Sequence, residues 1–475
     1  MKFYITTPIY YVNDKPHIGH AYTTIVADVI ARFKRQNGFE VFFLTGTDEH
    51  GTKVAESAEK QGKSPQEFCD EISAMFQSRW KNLNITNDDF IRTTSERHKK
   101  RVKEIFKLLK LARTPKGNEV IYDGLYEGLY CTGCEKFLTD KELVDGYCPY
   151  HKTLPEKISE KNYFFRLSDY KEILREKISA GEILIQPNTR KNEALALLDF
   201  VDDFSVSRES VKWGIDLPFD DNQKAYVWVD ALSNYITAIG FPEDENYQKW
   251  WPADAHLMAQ DILKFHAIYW PAILLALNLP LPKSEHIHGF FTVDGQKMSK
   301  SLGNAIDPDE LVNKYGADVT RYLLLSQFLF GQESDILVEH FPEKYTADLS
   351  NGLGNLVSRV SNLIEKNALA LNLKQGSDEN LKKEFAEKID NYKFNEVLEF
   401  LWSKLRACDE IITRTAPWKI KDLAELKNIL EPVAQDILNV ADLLRSFMPA
   451  TAEKIIAQFT APQIKKGEPL FPRLS

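Results

Sequence analysis

No stretch of this 475-residue chain reaches the ~18 consecutive apolar residues of a membrane-spanning helix. Its first residues also lack the cationic, then apolar, then cleavable pattern of a secretory leader, so a cytoplasmic location is expected. Cysteine is scarce: five residues in a chain of this length do not make a disulfide framework. Positive charge is not in excess either, the formal net charge being -9. Any RNA partner must therefore meet a local basic surface. One candidate is residues 97–116, ten of which are Lys, Arg or His, although such a run is also the ordinary wet face of a helix. Internal repeats and low-complexity segments are absent. What remains is a chain with 43% apolar residues, enough for well-packed globular domains, two to four of them at roughly 100–200 residues each.

Two short motifs carry chemistry. Pro16-His17-Ile18-Gly19-His20 follows a strand expected over residues 2–7 and a loop over 8–15. Pro16 suits a first helical position because it has no N–H to leave unpaired. Ala21, Ile25, Val29, Ile30 and Phe33 then recur at helical spacing up to about Gln36, and Asn37-Gly38 stops the helix before an apolar strand at residues 41–44. A helix N-terminus favours a phosphate. Two imidazoles three residues apart lie on one face and suit the same phosphate oxygens, while Gly19 leaves room for a flat ring such as adenine. Alone, the pair reads equally as partly buried histidines. The second motif is Lys297-Met298-Ser299-Lys300-Ser301, between Asp294-Gly295 and Gly303-Asn304. Two lysines and two serines on a loop between flexible points suit a polyphosphate, whereas such a loop by itself is a solvated turn. Together the motifs point to activation of a carboxylate by ATP, chemistry that asks for positioning and charge stabilisation rather than a nucleophilic side chain.

Three cysteines are grouped as Cys131-x-x-Cys134 and Cys148-Pro-Tyr-His151. Three thiolates and one imidazole fit a tetrahedral Zn²⁺, and four protein ligands make that metal structural; the alternative is a chance cluster of reduced thiols. Cys69 and Cys408 read as small packing residues. The α/β pattern runs over residues 1–115, breaks over 116–225 where the knuckle lies, and resumes over 226–340, with strands expected at 255–259 and 285–292 and a helix at 262–277. Residues 341–475 read as helical. Leu349, Leu353, Leu356, Val357, Val360 and Ile364 form one apolar stripe and Ile437, Val440, Leu443 and Leu444 another.

At this point the chain resembles the class I aminoacyl-tRNA synthetases, specifically bacterial-type methionyl-tRNA synthetases. The likeness rests on Thr7-Pro8-Ile9-Tyr10-Tyr11, the His17–His20 motif, Thr45-Gly46-Thr47-Asp48-Glu49-His50-Gly51, Tyr226-Val227-Trp228-Val229-Asp230-Ala231, Phe265-His266-Ala267-Ile268-Tyr269-Trp270-Pro271, the lysine loop and Ala416-Pro417-Trp418. It implies an α/β fold: a Rossmann-like parallel-sheet catalytic domain split by a zinc-binding connective insertion, followed by an all-α anticodon-binding bundle. It also implies ATP contacts at His17, Gly19, His20, His288, Gly289, Lys297, Met298, Ser299, Lys300 and Ser301, with His17, His20, Lys297 and Lys300 catalytic. A methionine pocket is implied at Ile9, Tyr11, Asp48, Trp228, Ala231, Leu232, Tyr235, Ile262, His266 and Trp270. There a carboxylate can pair with the α-ammonium and aromatic rings suit a thioether, although each aromatic taken singly is as well a core residue. Anticodon contacts are implied at Asn355, Arg359, Pro417 and Trp418; without the resemblance, Trp418 reads as closing the bundle.

The implied partners are ATP with Mg²⁺, L-methionine, and initiator and elongator tRNA(Met), served by a monomer with one structural Zn²⁺. Ala259-Gln260-Asp261 departs from the usual Gly-Lys-Asp, and Asp216 stands where Pro is usual. A chain ending soon after Leu470-Phe471-Pro472-Arg473 is expected to lack an appended β-barrel tRNA-binding domain. Three other readings remain at this point: a synthetase for isoleucine, leucine or valine, a small-molecule adenylate-forming ligase, and a non-catalytic zinc-bearing RNA-binding paralogue.

Overall fold

The computed structural model describes residues 1–132, 136–138, 142–293, 295–297 and 305–474. They form two compact units, the first from residues 1–16, 38–81 and 86–288, the second from residues 17–37, 82–85 and 289–475. No helix among the described residues is long and apolar enough to cross a membrane.

The first unit is built on a six-stranded sheet in the order Asp89–Arg92, Glu40–Asp48, Lys2–Tyr11, Ala255–Ala259, Ser284–His288, Leu184–Gln186. All neighbouring strands are parallel. Strands far apart in sequence thus complete one sheet, and the strand order changes direction at Lys2–Tyr11, the kind of switch point at which such sheets bind ligands beyond their carboxyl ends. Tyr4, Ile5, Thr6 and Thr7 are all buried, as expected of an inner strand covered on both faces. An antiparallel sheet, Lys136–Leu138, Ile121–Cys131, Glu156–Phe165 and Phe204–Ser205, lies between the two halves in sequence.

Several expected boundaries move, each for a local reason. The first strand continues past Thr7 to Tyr11, its register shifting between Thr6 and Ile9 so that Pro8, which has no N–H, sits at the irregularity. The second strand is longer than residues 41–44, running from Glu40 to Asp48. The helix expected over 262–277 is three pieces: a 3₁₀ turn Gln260–Ile262, a π turn Phe265–Tyr269 and an α-helix Trp270–Ala276. Pro271 cannot donate to the fourth residue before it, and a π turn there absorbs the missing bond. The strand expected over 285–292 is two strands in different sheets, Ser284–His288 and Phe291–Val293. They part at Gly289, where a Cβ would lie 2.4 Å from the backbone of Gln332. The basic run lies on the helix Glu96–Leu111, whose Val102, Ile105, Phe106 and Leu109 face the core; His98, counted in that run, is fully buried with them.

The second unit joins the helix Ile18–Gln36 to a small sheet and a set of helices. The sheet is ordered Gln296–Lys297, Phe291–Val293, Ser334–Ile336. Helices Pro308–Tyr315 and Ala317–Gln327 precede residue 341, and Asn355–Lys366, Glu379–Asp390, Phe394–Thr415, Leu423–Leu444 and Pro449–Phe459 follow it. Both apolar stripes face inward, every one of their residues being buried.

Candidate active site

The helix Ile18–Gln36 begins two residues later than Pro16 suggests, because His17 takes the cap. His17 Nδ1 accepts from the Gly19 N–H at 3.1 Å and His20 Nδ1 accepts from the His17 N–H at 3.3 Å, a reciprocal capping box. The two rings stack with centroids 3.7 Å apart. A Cβ on residue 19 would lie 3.0 Å from the His17 ring, so glycine is what lets that ring fold back over the helix end. The capping has a chemical consequence. A neutral imidazole whose Nδ1 accepts carries its proton on Nε2, so each ring presents an Nε2–H donor. The expectation that backbone N–H groups would meet the phosphate needs correction, since Gly19 N–H is taken by His17 and Ile18 N–H by the Ile306 carbonyl at 3.0 Å.

That last bond brings the two motifs together. Lys297 ends a strand paired with Phe291–Val293, and Phe291 packs on Tyr22 of the histidine helix with ring centroids 4.7 Å apart. Ile306, on the other side of the lysine motif, bonds the first turn of the same helix. The stretches flanking the lysine motif, Phe291–Val293 before it and Ile306 after it, are therefore held against the first two turns of the histidine helix. Met298, Ser299, Lys300 and Ser301 lie outside the described residues. His288 ends the inner strand of the first unit, and Gly289 opens the second.

In the first unit, Tyr11 and Asp48 are register partners at the carboxyl ends of adjacent strands, and Ile9 is paired with Gly46. Ala231, Leu232 and Tyr235 lie buried along the helix Val227–Thr237. The Tyr235 hydroxyl meets His266 Nε2 at 2.7 Å, and His266 Nδ1 meets the Ile262 carbonyl at 3.0 Å. The carbonyl can only accept, so Nδ1 carries the proton and the Tyr235 hydroxyl donates to Nε2. Burial pushes His266 down to about 4, the Ile262 bond opposing it, so the ring is neutral near pH 7. Trp270 is fully buried with its ring 5.9 Å from that of Tyr235. Trp228 is half-buried and stacks on Phe265 at 3.5 Å. His266 and Phe265 both belong to the π turn, which sets their facing.

In the second unit, Asn355 is exposed at the start of its helix, and Arg359, one turn on, pairs with Asp409 at 2.6 Å. The Arg359 guanidinium lies 5.9 Å from the Trp418 ring. Trp418, beside the buried Pro417, is 55% exposed and so does not close the bundle. Ala416 holds the left-handed conformation that turns the chain there.

The family described as tRNA synthetases class I (M) matches residues 3–155 and 151–361. The methionine–tRNA ligase of Thermotoga maritima is 44% identical over 96% of this chain and 75% of its own length. The chain belongs to the methionyl-tRNA synthetases of class I. The methionine–tRNA ligase of Bacillus subtilis is 40% identical over 99% of the chain and 78% of its own length. A structure of Mycobacterium tuberculosis methionyl-tRNA synthetase in complex with methionyl-adenylate superimposes with a TM-score of 0.93 at 35% identity, covering 99% of this chain and 100% of that one.

Within such a synthetase, Cys131, Cys148 and His151 bring their ligand atoms within 4.8 Å of one another. His151 Nδ1 lies 3.9 Å from each sulfur. Zn–S bonds of ~2.3 Å and Zn–N bonds of ~2.0 Å in a tetrahedron put sulfur and nitrogen ~3.5 Å apart, so the donor set fits zinc. Cys134, the fourth expected ligand, lies outside the described residues. Metal analysis is expected to find one zinc per chain, and Cys148→Ser should lose it and make residues 131–151 the first site of limited proteolysis.

Two buried networks were not anticipated from the motifs. Asp230 bridges His50 Nδ1 at 2.6 Å and His98 Nε2 at 2.7 Å. Burial alone would raise its carboxyl, but the two histidines hold it down to about 2. Glu49 is fully buried on the Arg92 guanidinium, at 2.7 and 2.9 Å. Glu49, next to Asp48 in the chain, is thereby ion-paired, and Asp230 is hydrogen-bonded by two imidazoles. The available signal was an Asp at position 230 in an otherwise apolar helical run.

Proposed function

We propose that this chain is a methionine–tRNA ligase: it activates L-methionine with ATP and transfers it to the 3′ end of tRNA(Met). The observation that carries the reading is the convergence of the histidine helix and the stretches flanking the lysine motif, within a chain whose relatives over nearly its full length are methionine–tRNA ligases. The methionine carboxylate attacks the α-phosphorus, the bond to the β-phosphate oxygen breaks, and pyrophosphate leaves. His17 and His20 donate through Nε2 to the α-phosphate oxygens, and Lys297 and Lys300 neutralise the leaving pyrophosphate. Mg²⁺ accompanies ATP and screens its phosphates. A hydroxyl of the terminal tRNA ribose then attacks the activated carbonyl, and AMP leaves.

Asp48 takes the α-ammonium, and Tyr235, His266, Trp270 and Trp228 surround the thioether with Ile9, Tyr11, Ala231, Leu232 and Ile262. A donated hydrogen bond from Tyr235 fixes His266 as a neutral partner for an uncharged side chain. Residues 116–225 serve as the connective insertion and 341–475 as the tRNA-reading bundle. Exposed Trp418 offers a stacking platform for an unpaired base, and Asn355 and Arg359 bond base edges. The test is amino-acid-dependent exchange of labelled pyrophosphate into ATP without tRNA. Exchange with methionine and not with isoleucine, leucine, valine or cysteine is the expected result; exchange with another of these instead would overturn the pocket assignment.

A further inference from the structure

Glu285 is the second residue of the inner strand Ser284–His288, fully buried, and neither carboxyl oxygen has a hydrogen-bond partner among the described residues. A carboxylate without partners is costly in such a place, and burial accordingly pushes Glu285 up to about 8. Its register partner on the adjacent strand is His256, so the two side chains share one face of the sheet. His256 Nδ1 meets Thr6 Oγ1 at 2.7 Å, while its buried Nε2 has no hydrogen-bond partner among the described residues. When Nδ1 donates to Thr6, Nε2 is an acceptor, and a protonated Glu285 on the same sheet face is placed to supply the hydrogen through one buried water.

His256 leads to the amino-acid pocket. Its ring lies 4.3 Å from that of Tyr235, whose hydroxyl donates to His266. Burial holds the Tyr235 hydroxyl protonated, and the nearby Glu285 adds to that effect. The ionisable groups facing this cluster are His256 from its own strand, Tyr4 and Tyr10 from Lys2–Tyr11, Tyr235 from its helix and His266 from the π turn. The remaining strand offers Ile185 opposite Glu285. Burial keeps both histidines neutral and both Tyr4 and Tyr235 protonated between pH 7 and 9.

We propose that Glu285 is a positioning residue for the amino-acid pocket: as a neutral acid behind His256 it holds the Tyr235–His266 wall in the shape that receives the methionine side chain, and losing its proton disorders that wall. The inference rests on the proposed function. Its mechanism is simple: a carboxylate in this position either draws a proton onto His256 or draws water in, and each displaces the ring against which Tyr235 packs.

The experiment is the KM for methionine in pyrophosphate exchange at saturating ATP, from pH 6.5 to 9.5, for the wild type, Glu285→Gln and Glu285→Met. If only the protonated form binds, the wild-type KM rises about tenfold between pH 7 and 9 beyond the rise in the variants. Titration of free methionine's own ammonium is common to all three and cancels. Glu285→Gln, neutral at every pH, keeps the wild-type KM at pH 7. Superimposable profiles overturn the proposal. So does a wild type with no enzyme ionisation near pH 8 in kcat/KM for methionine, a result that needs neither variant to fold. Absence of any methionine-dependent exchange by the wild type at pH 7 is a separate outcome: it defeats the functional reading, and this inference with it.

Discussion

Replacing Arg321 with methionine is expected to destabilise the second unit by about 3–5 kcal/mol, the cost of breaking a buried ion pair from one side. Arg321 is fully buried on the helix Ala317–Gln327, and its guanidinium makes four attachments. Nη1 pairs with Asp28 at 2.7 Å and reaches the Leu83 carbonyl at 3.3 Å; Nε bonds the Phe447 carbonyl at 2.8 Å and Nη2 the Ser446 carbonyl at 2.9 Å. Burial lowers the pKa of this guanidinium and Asp28 opposes the shift. Without it, Asp28 retains Arg32 at 2.7 Å, but three buried carbonyls lose their donor. Arg321→Lys should fail nearly as badly, since one ammonium cannot reproduce a planar fork spread over four acceptors. Asp28→Leu combined with Arg321→Met should cost less than the two single changes added together, because the fully buried pair is then removed as a whole and Arg32 keeps the Asn84 carbonyl. Equilibrium urea unfolding of the five proteins, wild type and Asp28→Leu included, measures all of this. Additive losses would show that Arg321 acts through its carbonyls and not through Asp28. The consequence reaches the chemistry, because Asp28 lies on the helix whose cap is His17, while Ser446 and Phe447 lie at the corner between the last two long helices.

That arrangement illustrates how far the sequence could be read. Helix Ile18–Gln36 was visible because its apolar residues recur at 3.6 and its ends carry recognisable stops. The parallel sheet was visible because short apolar runs alternate with helical ones on both sides of a break. Arg321 was not, although an Arg directly before Tyr322-Leu323-Leu324-Leu325 is as strong a flag as Asp230 among Val227, Trp228, Val229, Ala231 and Leu232. Its meaning depends on residues 28, 83, 446 and 447, which no local pattern connects. Pro271 and Gly289 were legible as residues but not as events, since a π turn and a change of sheet follow from what packs against them. Gly289 needs Gln332 beside it before its lack of a Cβ explains anything. The candidate site divides in the same way. Spacing singled out the histidines, lysines and cysteines, because phosphate and zinc binding call for ligands at such spacing. It did not find that the histidines cap their own helix, or that Glu285 lies on the same sheet face as His256, because those facts belong to contacts across strands and turns.

His20→Ala is expected to lower the rate of adenylate formation by about 100- to 1,000-fold, the usual loss when one preorganised donor to a transition-state oxyanion is removed. Methionine affinity should change little, since the residues assigned to it include neither His17 nor His20. A plain alanine change is nonetheless ambiguous, because the same ring accepts from the His17 N–H and its loss also weakens the cap. His17→Asn resolves the ambiguity. Asparagine is among the best N-cap residues and its side-chain oxygen can accept from the first-turn N–H groups, so the helix end should keep its stability to within a few tenths of the ~1 kcal/mol that a cap is worth. What asparagine cannot do is present a donor where the imidazole Nε2 stood. If the two histidines serve the phosphate, His17→Asn should match wild type in thermal melting and in methionine binding followed by tryptophan fluorescence, yet fall by a similar 100- to 1,000-fold in single-turnover adenylate formation. If they serve only the helix, His17→Asn should be nearly as active as wild type, while alanine at either position lowers melting temperature and activity together. One stable, inactive variant would thus separate chemistry from capping at a site where a single ring does both.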